Sequence, residues 1–248
     1  MSPHVLDWFR ELAAGNELPQ AAATALNGEG FAILPGIVPQ DKMPSLAAAY
    51  DAAFASAVDD EIRVGSTTTK INDFFNRGRL FEELVLLPPL LEGCCQVIGG
   101  PFKLSSFVGR TLRPGVPSQE LHVDVRRNSA DWPLLGFIFM IDEFRGDNGA
   151  TRFVPGSHRG IETPEQTMAD VHADHPQQTL ACGVEGSLLV FNGSVWHGHT
   201  ANTSTGPRRS LQGAFIPRDG QAATDFAVRV SPELRSRLDP LARYVLAL

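Results

Sequence analysis

The segment Leu121-His122-Val123-Asp124-Val125, LHVDV, decides the reading of this chain. Its alternation of apolar and polar residues predicts a short strand, on which side chains two positions apart leave the same face. His122 and Asp124 then stand side by side, an imidazole next to a carboxylate. A third donor has to come from another strand, and FNGSVWHGH, residues 191–199, offers His197 or His199 directly behind the apolar run 186–191. Two histidines and one carboxylate on one face of an ion leave coordination positions open, the arrangement suited to Fe(II) that must also take a co-substrate and oxygen.

Outward from this segment, short apolar runs separated by turn residues predict strands over 103–112, 121–125, 134–141, 151–154, 187–191 and 208–216. That spacing points to a mainly β fold with flanking helices, a jelly-roll or cupin-like barrel. Between Gly160 and Ala181 the chain is polar and reads as an exposed excursion or lid. The first hundred residues form a largely helical buttress, with helices expected over 5–14, 19–26, 42–58 and 88–98 and one strand over 31–38. Ser231-Pro232-Glu233 marks the start of a C-terminal helix running to about residue 247. No repeat or linker divides the 248 residues, so one domain over 1–248 is expected.

Composition narrows the function classes. A net charge of -7 leaves no basic footprint for nucleic acid. No apolar run approaches the roughly 18 residues that cross a bilayer, and MSPHVLDWFR is not the apolar start of a signal peptide. A soluble cytoplasmic protein acting on a small molecule is the expectation. Cys94, Cys95 and Cys182 have neither the spacing of a metal knuckle nor that of a disulfide framework.

Beyond His199 comes Pro207-Arg208-Arg209-Ser210-Leu211-Gln212, another strand pattern, and its alternation sends Arg208 and Arg209 to opposite faces. A guanidinium turned inward needs a counter-charge, which the distal carboxylate of 2-oxoglutarate would supply through paired hydrogen bonds. Gln119, just ahead of His122, is a candidate to orient a ligand or the co-substrate, a plain surface position being the alternative. Asn148, Gly149 and Thr151 read as a tight turn feeding a strand, with Thr151 at the pocket edge.

These residues, together with NGATRFVPGSH at 148–158, WHG at 196–198 and TTTKINDF at 67–74, resemble the phytanoyl-CoA dioxygenase family of iron and 2-oxoglutarate oxygenases over roughly residues 25 to 217. The resemblance implies a double-stranded β-helix, iron held by His122, Asp124 and His197, and 2-oxoglutarate held by Arg208 with a contact from Lys70. It also implies the reaction: 2-oxoglutarate and O2 are converted to succinate and carbon dioxide while a substrate C–H bond is oxidised. His199 stands where some members carry a small serine near the co-substrate, and Ile138 where some carry tryptophan. Asp124 keeps the carboxylate that related halogenases give up for chloride, which favours hydroxylation, with desaturation or cyclisation still open.

Arg79, Arg110, Arg126, Arg127 and Arg152, with Phe107, Trp132 and Phe153, fall in segments expected to rim the opening. They suggest an anionic small-molecule substrate with an apolar part, its identity open, as is the oligomeric state. Two other classes stay in view: a metal-dependent cupin enzyme that needs no 2-oxoglutarate, and a barrel that binds a small ligand without catalysis.

Overall fold

A computed structural model describes residues 3–248. Ten strands are present among them: β1 Phe31–Leu34, β2 Ile62–Val64, β3 Thr68–Ile71, β4 Phe102–Leu112, β5 Leu135–Met140, β6 Thr151–Phe153, β7 Thr179–Ala181, β8 Leu188–Asn192, β9 His197–His199 and β10 Arg208–Pro217. They form a seven-stranded sheet in the order β1-β8-β5-β10-β4-β3-β2 and a three-stranded sheet in the order β7-β6-β9. The pairs within both sheets are antiparallel. An isolated antiparallel bridge between His122 and His197 adds the LHVDV segment to the free side of β9. From β4 onward the chain therefore visits the large sheet, the small sheet, the large sheet, the small sheet twice, and then the large, small and large again. This alternation is the jelly-roll, or double-stranded β-helix.

Side chains from both sheets make the core between them: Phe31, Ile138, Met140, Leu189 and Phe191 from the large sheet, and Phe153, Ala181 and Val195 from the small sheet or the turns beside it. Phe31 and Phe153 stack across this interface at 4.3 Å between centroids and 7° between planes. The other face of the large sheet is covered by helices. These are α1 Pro3–Ala13, α2 Gln20–Gly28, α3 Met43–Ser56, α4 Arg79–Leu84 and α5 Pro88–Ile98, joined later in the chain by α7 Phe226–Arg229, α8 Pro232–Arg237 and α9 Pro240–Leu246, while α6 Pro164–Thr167 lies in the 160–181 excursion. Leu26, Leu46, Phe81, Leu90 and Val245 join Phe107, Phe137, Phe139 and Phe215 in this second core.

Several elements follow directly from local chemistry. Helix α5 opens on Pro88 and Pro89, whose missing N–H groups cost nothing in a first turn, and closes on Gly99 at φ 69°. The single C-terminal helix expected from residue 231 is instead two, α8 and α9. Pro240 cannot continue a helix, and Asp239 caps the new one by accepting the Ala242 N–H at 2.7 Å. The helical N-terminal buttress also contributes β1, β2 and β3 to the large sheet, and the last two of these fall where no strand was expected. Among the described residues no helix is long and apolar enough to cross a membrane.

Candidate metal centre

β9 is the hub. His122 and His197 exchange both main-chain hydrogen bonds, His122 N to His197 O at 2.9 Å and His197 N to His122 O at 3.0 Å. The pairing sets the two rings side by side, 4.4 Å between centroids. Gly198 makes this approach possible: a Cβ there would lie 2.7 Å from the Glu120 carbonyl oxygen and 3.0 Å from that of Gln119. LHVDV is not a regular strand beyond the single bridge, so strand alternation does not aim Asp124. A turn does, with the Asp124 and Val125 N–H groups both donating to Gly193 O, at 2.8 and 3.1 Å.

The result is a cluster in which Asp124 Oδ1 lies 3.9 Å from His122 Nε2 and 3.7 Å from His197 Nε2, the ligand atoms of the three residues all within 4.8 Å of one another. Donors each about 2.1 Å from one ion lie roughly 3 to 4.2 Å apart, so this spacing fits a shared metal. Both rings are oriented for the task. His122 Nδ1 faces Glu120 O at 3.1 Å and His197 Nδ1 faces Val195 O at 2.9 Å, so the Nδ1 hydrogens are taken by carbonyls and the Nε2 lone pairs are free. Burial holds the His197 imidazole below its ordinary pKa, against the pull of Asp124, which keeps it neutral and ready to ligate. Phe191 and Phe153 lie against its ring at 4.8 and 5.8 Å, a dry backing.

A cavity of about 590 Å³ opens beside the cluster and is lined by every residue singled out for the site: His122, Asp124 and His197, and Arg208, Lys70, Gln119, Thr151 and His199. Arg208 begins β10 pointing inward, 3% exposed, with its guanidinium 3.8 Å from the centre of the Phe144 ring. Its Nε and Nη1 are buried without any hydrogen-bond partner. Burial, with Arg110 adding to it, lowers its pKa to about 9. An unpaired buried guanidinium is costly, and these orphaned donors fit the carboxylate end of 2-oxoglutarate. Arg209 points the other way, to Asp142 at 2.6 Å and Asp51 at 2.7 Å.

Thr151 pairs with His199 across β6 and β9. His199 has both ring nitrogens occupied, Nδ1 by Thr200 O at 2.8 Å and Nε2 by Thr67 Oγ1 at 3.2 Å, and stands outside the metal cluster. Gln119 is tied down by its main chain, its N–H donating to His199 O at 2.9 Å. Lys70, on β3, pairs with Arg110 on β4.

Of the arginines expected at the rim, only Arg110 lines the cavity. Arg152 is fully buried and works as a clip: its Nη2 donates to Gln119 O at 2.7 Å, and its Nη1 to Ala173 O and Asp174 Oδ1, each at 3.1 Å. Arg127 caps the His158 and Arg159 carbonyls at 3.1 and 2.7 Å, and Arg79 pairs with Glu83 on the surface. Phe107 and Phe153 belong to the two cores. Gln212, which strand alternation turns inward with Arg208 and Ser210, also lines the cavity.

The family model described as Phytanoyl-CoA dioxygenase (PhyH) matches residues 26–210. The dioxygenase cdmA of Talaromyces verruculosus is 38% identical over 113 residues, 40% of this chain and 35% of that protein. The dioxygenase trt7 of Aspergillus terreus is 28% identical over 226 residues, 80% of this chain and 73% of that protein. The match thus spans about a third of the first relative and nearly three quarters of the second. A crystal structure of the epimerase SnoN, in complex with Fe3+, alpha ketoglutarate and nogalamycin RO, superposes with a TM-score of 0.65 at 17% identity, covering 80% of this chain and 83% of that one. At that identity the likeness speaks for the fold.

Proposed function

The chain belongs to the phytanoyl-CoA dioxygenase family, and from that premise we propose that it is an Fe(II)- and 2-oxoglutarate-dependent dioxygenase that hydroxylates a small molecule. The observation that carries the proposal is the convergence of His122, Asp124 and His197 on one point, with open space beside it. These three residues hold the iron, and Arg208 holds the distal carboxylate of 2-oxoglutarate. The chemistry supplied by iron, 2-oxoglutarate and O2 when bound is oxidation of an unactivated C–H bond with release of succinate and carbon dioxide.

What the chain itself does is bind, orient and exclude water. The Glu120 and Val195 carbonyls hold the two imidazoles in the tautomer that presents Nε2. Arg208, fixed against Phe144, would hold the far carboxylate of the co-substrate. Lys70, Gln119, Thr151 and His199 border the same space. Thr151 and His199 are buried and narrow it, while Lys70 is exposed at its edge. Asp124 supplies the carboxylate donor of the cluster, which favours hydroxylation or another oxidation without halide.

The substrate is anionic with an apolar part: the cavity carries Arg110 and Lys70 together with Leu134, Ile138 and Phe191. The chain acts as one catalytic domain, since helices α1 to α5 and α9 pack on the same core as the barrel strands. It works in the cytoplasm, a compartment that suits its three free thiols. Anaerobic titration tests the reading. Fe(II) plus 2-oxoglutarate gives a weak visible charge-transfer band in the wild type, and Asp124→Ala abolishes both the band and succinate formation while the fold persists. Unchanged turnover in Asp124→Ala removes that carboxylate from the metal site.

A further inference from the structure

β4 and β10 are antiparallel neighbours with Arg110 opposite Ser210, while Lys70 of β3 lies opposite Arg110 on its other side. Arg208, two places before Ser210, is thus the diagonal neighbour of Arg110 on the inner face, at the roughly 7–8 Å spacing of such pairs. Among the described lining residues of the cavity Asp124 is the one acid, against Lys70, Arg110 and Arg208.

Arg110 is held by design of the strand pair. Its Nη1 donates to Gln212 Oε1 at 3.2 Å, Gln212 Nε2 donates to Ser210 Oγ at 3.0 Å, and that hydroxyl donates to the Arg110 carbonyl at 3.1 Å. The closed ring of contacts fixes the Gln212 amide and one edge of the guanidinium. Gln212 is the one side-chain acceptor that the Arg110 guanidinium has among the described residues, and Arg110 lines the cavity. Burial lowers its pKa, with only the charge of Asp124 acting against it. Among the described residues the side-chain partner of its guanidinium is an amide oxygen, that of Gln212, and not a carboxylate.

Charge now decides what this edge is for. Resting on the reading above, Fe(II) with Asp124, and the 2-oxoglutarate dianion with Arg208, sum to zero. Lys70 is exposed and screened by water, so Arg110 is left as the one uncompensated, half-buried cation. We propose that Arg110, braced by Gln212, is the receptor for the carboxylate of an organic monocarboxylate substrate, whose apolar body lies against Leu134 and Phe191. A single open guanidinium edge matches the two oxygens and single charge of a carboxylate, whereas a phosphate dianion would leave the pocket with excess negative charge.

The test uses the Fe(II) and 2-oxoglutarate complex under anaerobic conditions, with hexanoate, octanoate and phenylacetate as probes, each beside its primary amide, and the visible band as readout. In the wild type the acids bind about tenfold or more tightly than the amides. Arg110→Gln erases that preference and leaves the 2-oxoglutarate affinity within about threefold, and Arg110→Lys, which keeps the charge without the fork, retains part of the preference. Acids that bind no better than amides, or not at all, in the wild type overturn the proposal, as does a preference that survives Arg110→Gln. A tenfold or larger loss of 2-oxoglutarate affinity in Arg110→Gln also overturns it, assigning the residue to the co-substrate. A wild type with no visible band at all points instead to failure of the iron and 2-oxoglutarate reading itself.

Discussion

Arg208 and Arg209 are adjacent in the chain and opposite in role. Strand alternation alone separates them: Arg208 is buried with orphaned donors beside the cavity, and Arg209 is spent on Asp142 and Asp51 outside it. Arg208→Ala is expected to raise the 2-oxoglutarate requirement by about 2 kcal/mol, the scale of a lost charge-assisted contact, roughly thirtyfold in apparent affinity. Arg209→Ala should leave that affinity unchanged and lower stability by about 1 kcal/mol in urea unfolding. Steady-state kinetics and denaturation on the pair separate the two, and an effect of Arg209→Ala on 2-oxoglutarate would reverse the assignment. Gly198 belongs to this scale too. Gly198→Ala forces the Gln119 and Glu120 carbonyls away from β9 and with them His122, so metal binding by titration should weaken by tenfold or more, with about 1–3 kcal/mol of stability lost. The parity of Arg208 and Arg209 was legible from alternation. The need for Gly198 was not, because it arises from a main chain far away in sequence.

At the scale of elements, the sequence was most legible where the signal is local. Helix α5, with prolines at its start and two glycines at its end, and β4, with its long apolar alternation, lie where composition places them. LHVDV carried the correct alternation for a strand, yet forms only a bridge, because its main chain pairs with Gly193 and Val171 as well as β9. TTTKI carries no apolar pattern that marks a strand, and β3 exists through pairing with β4. The polar excursion over 160–181 is exposed through much of its length but tethered: Leu121 N donates to Val171 O at 2.9 Å, and Arg152 gathers carbonyls from both the excursion and Gln119. An arginine with this partner set cannot be recognised from its neighbours in the chain. Arg152→Met should free the excursion, seen as faster cleavage within 160–181 in limited proteolysis, and weaken metal binding through the loosened 119–122 segment. Cleavage at the wild-type rate would show that the tether lies elsewhere.

Over the whole molecule, the three candidate metal donors come from the small sheet and the segment bridged to it, while Arg208 comes from the large sheet. A metal bound there joins residues far apart in the chain and is absent from the unfolded state. Adding Mn(II) or anaerobic Fe(II) at a hundred times its Kd should therefore stabilise the protein by about 2.7 kcal/mol, read as a rise in Tm that a chelator reverses and Asp124→Ala abolishes. A Tm indifferent to metal in the wild type would argue against a site built from these three donors. The packed layer of Phe31, Phe153 and Phe191 keeps the two sheets at a fixed separation. That spacing acts as a caliper on keto diacids: oxaloacetate, one methylene short, and 2-oxoadipate, one methylene long, would each miss one jaw, so neither should replace the five-carbon acid in supporting turnover.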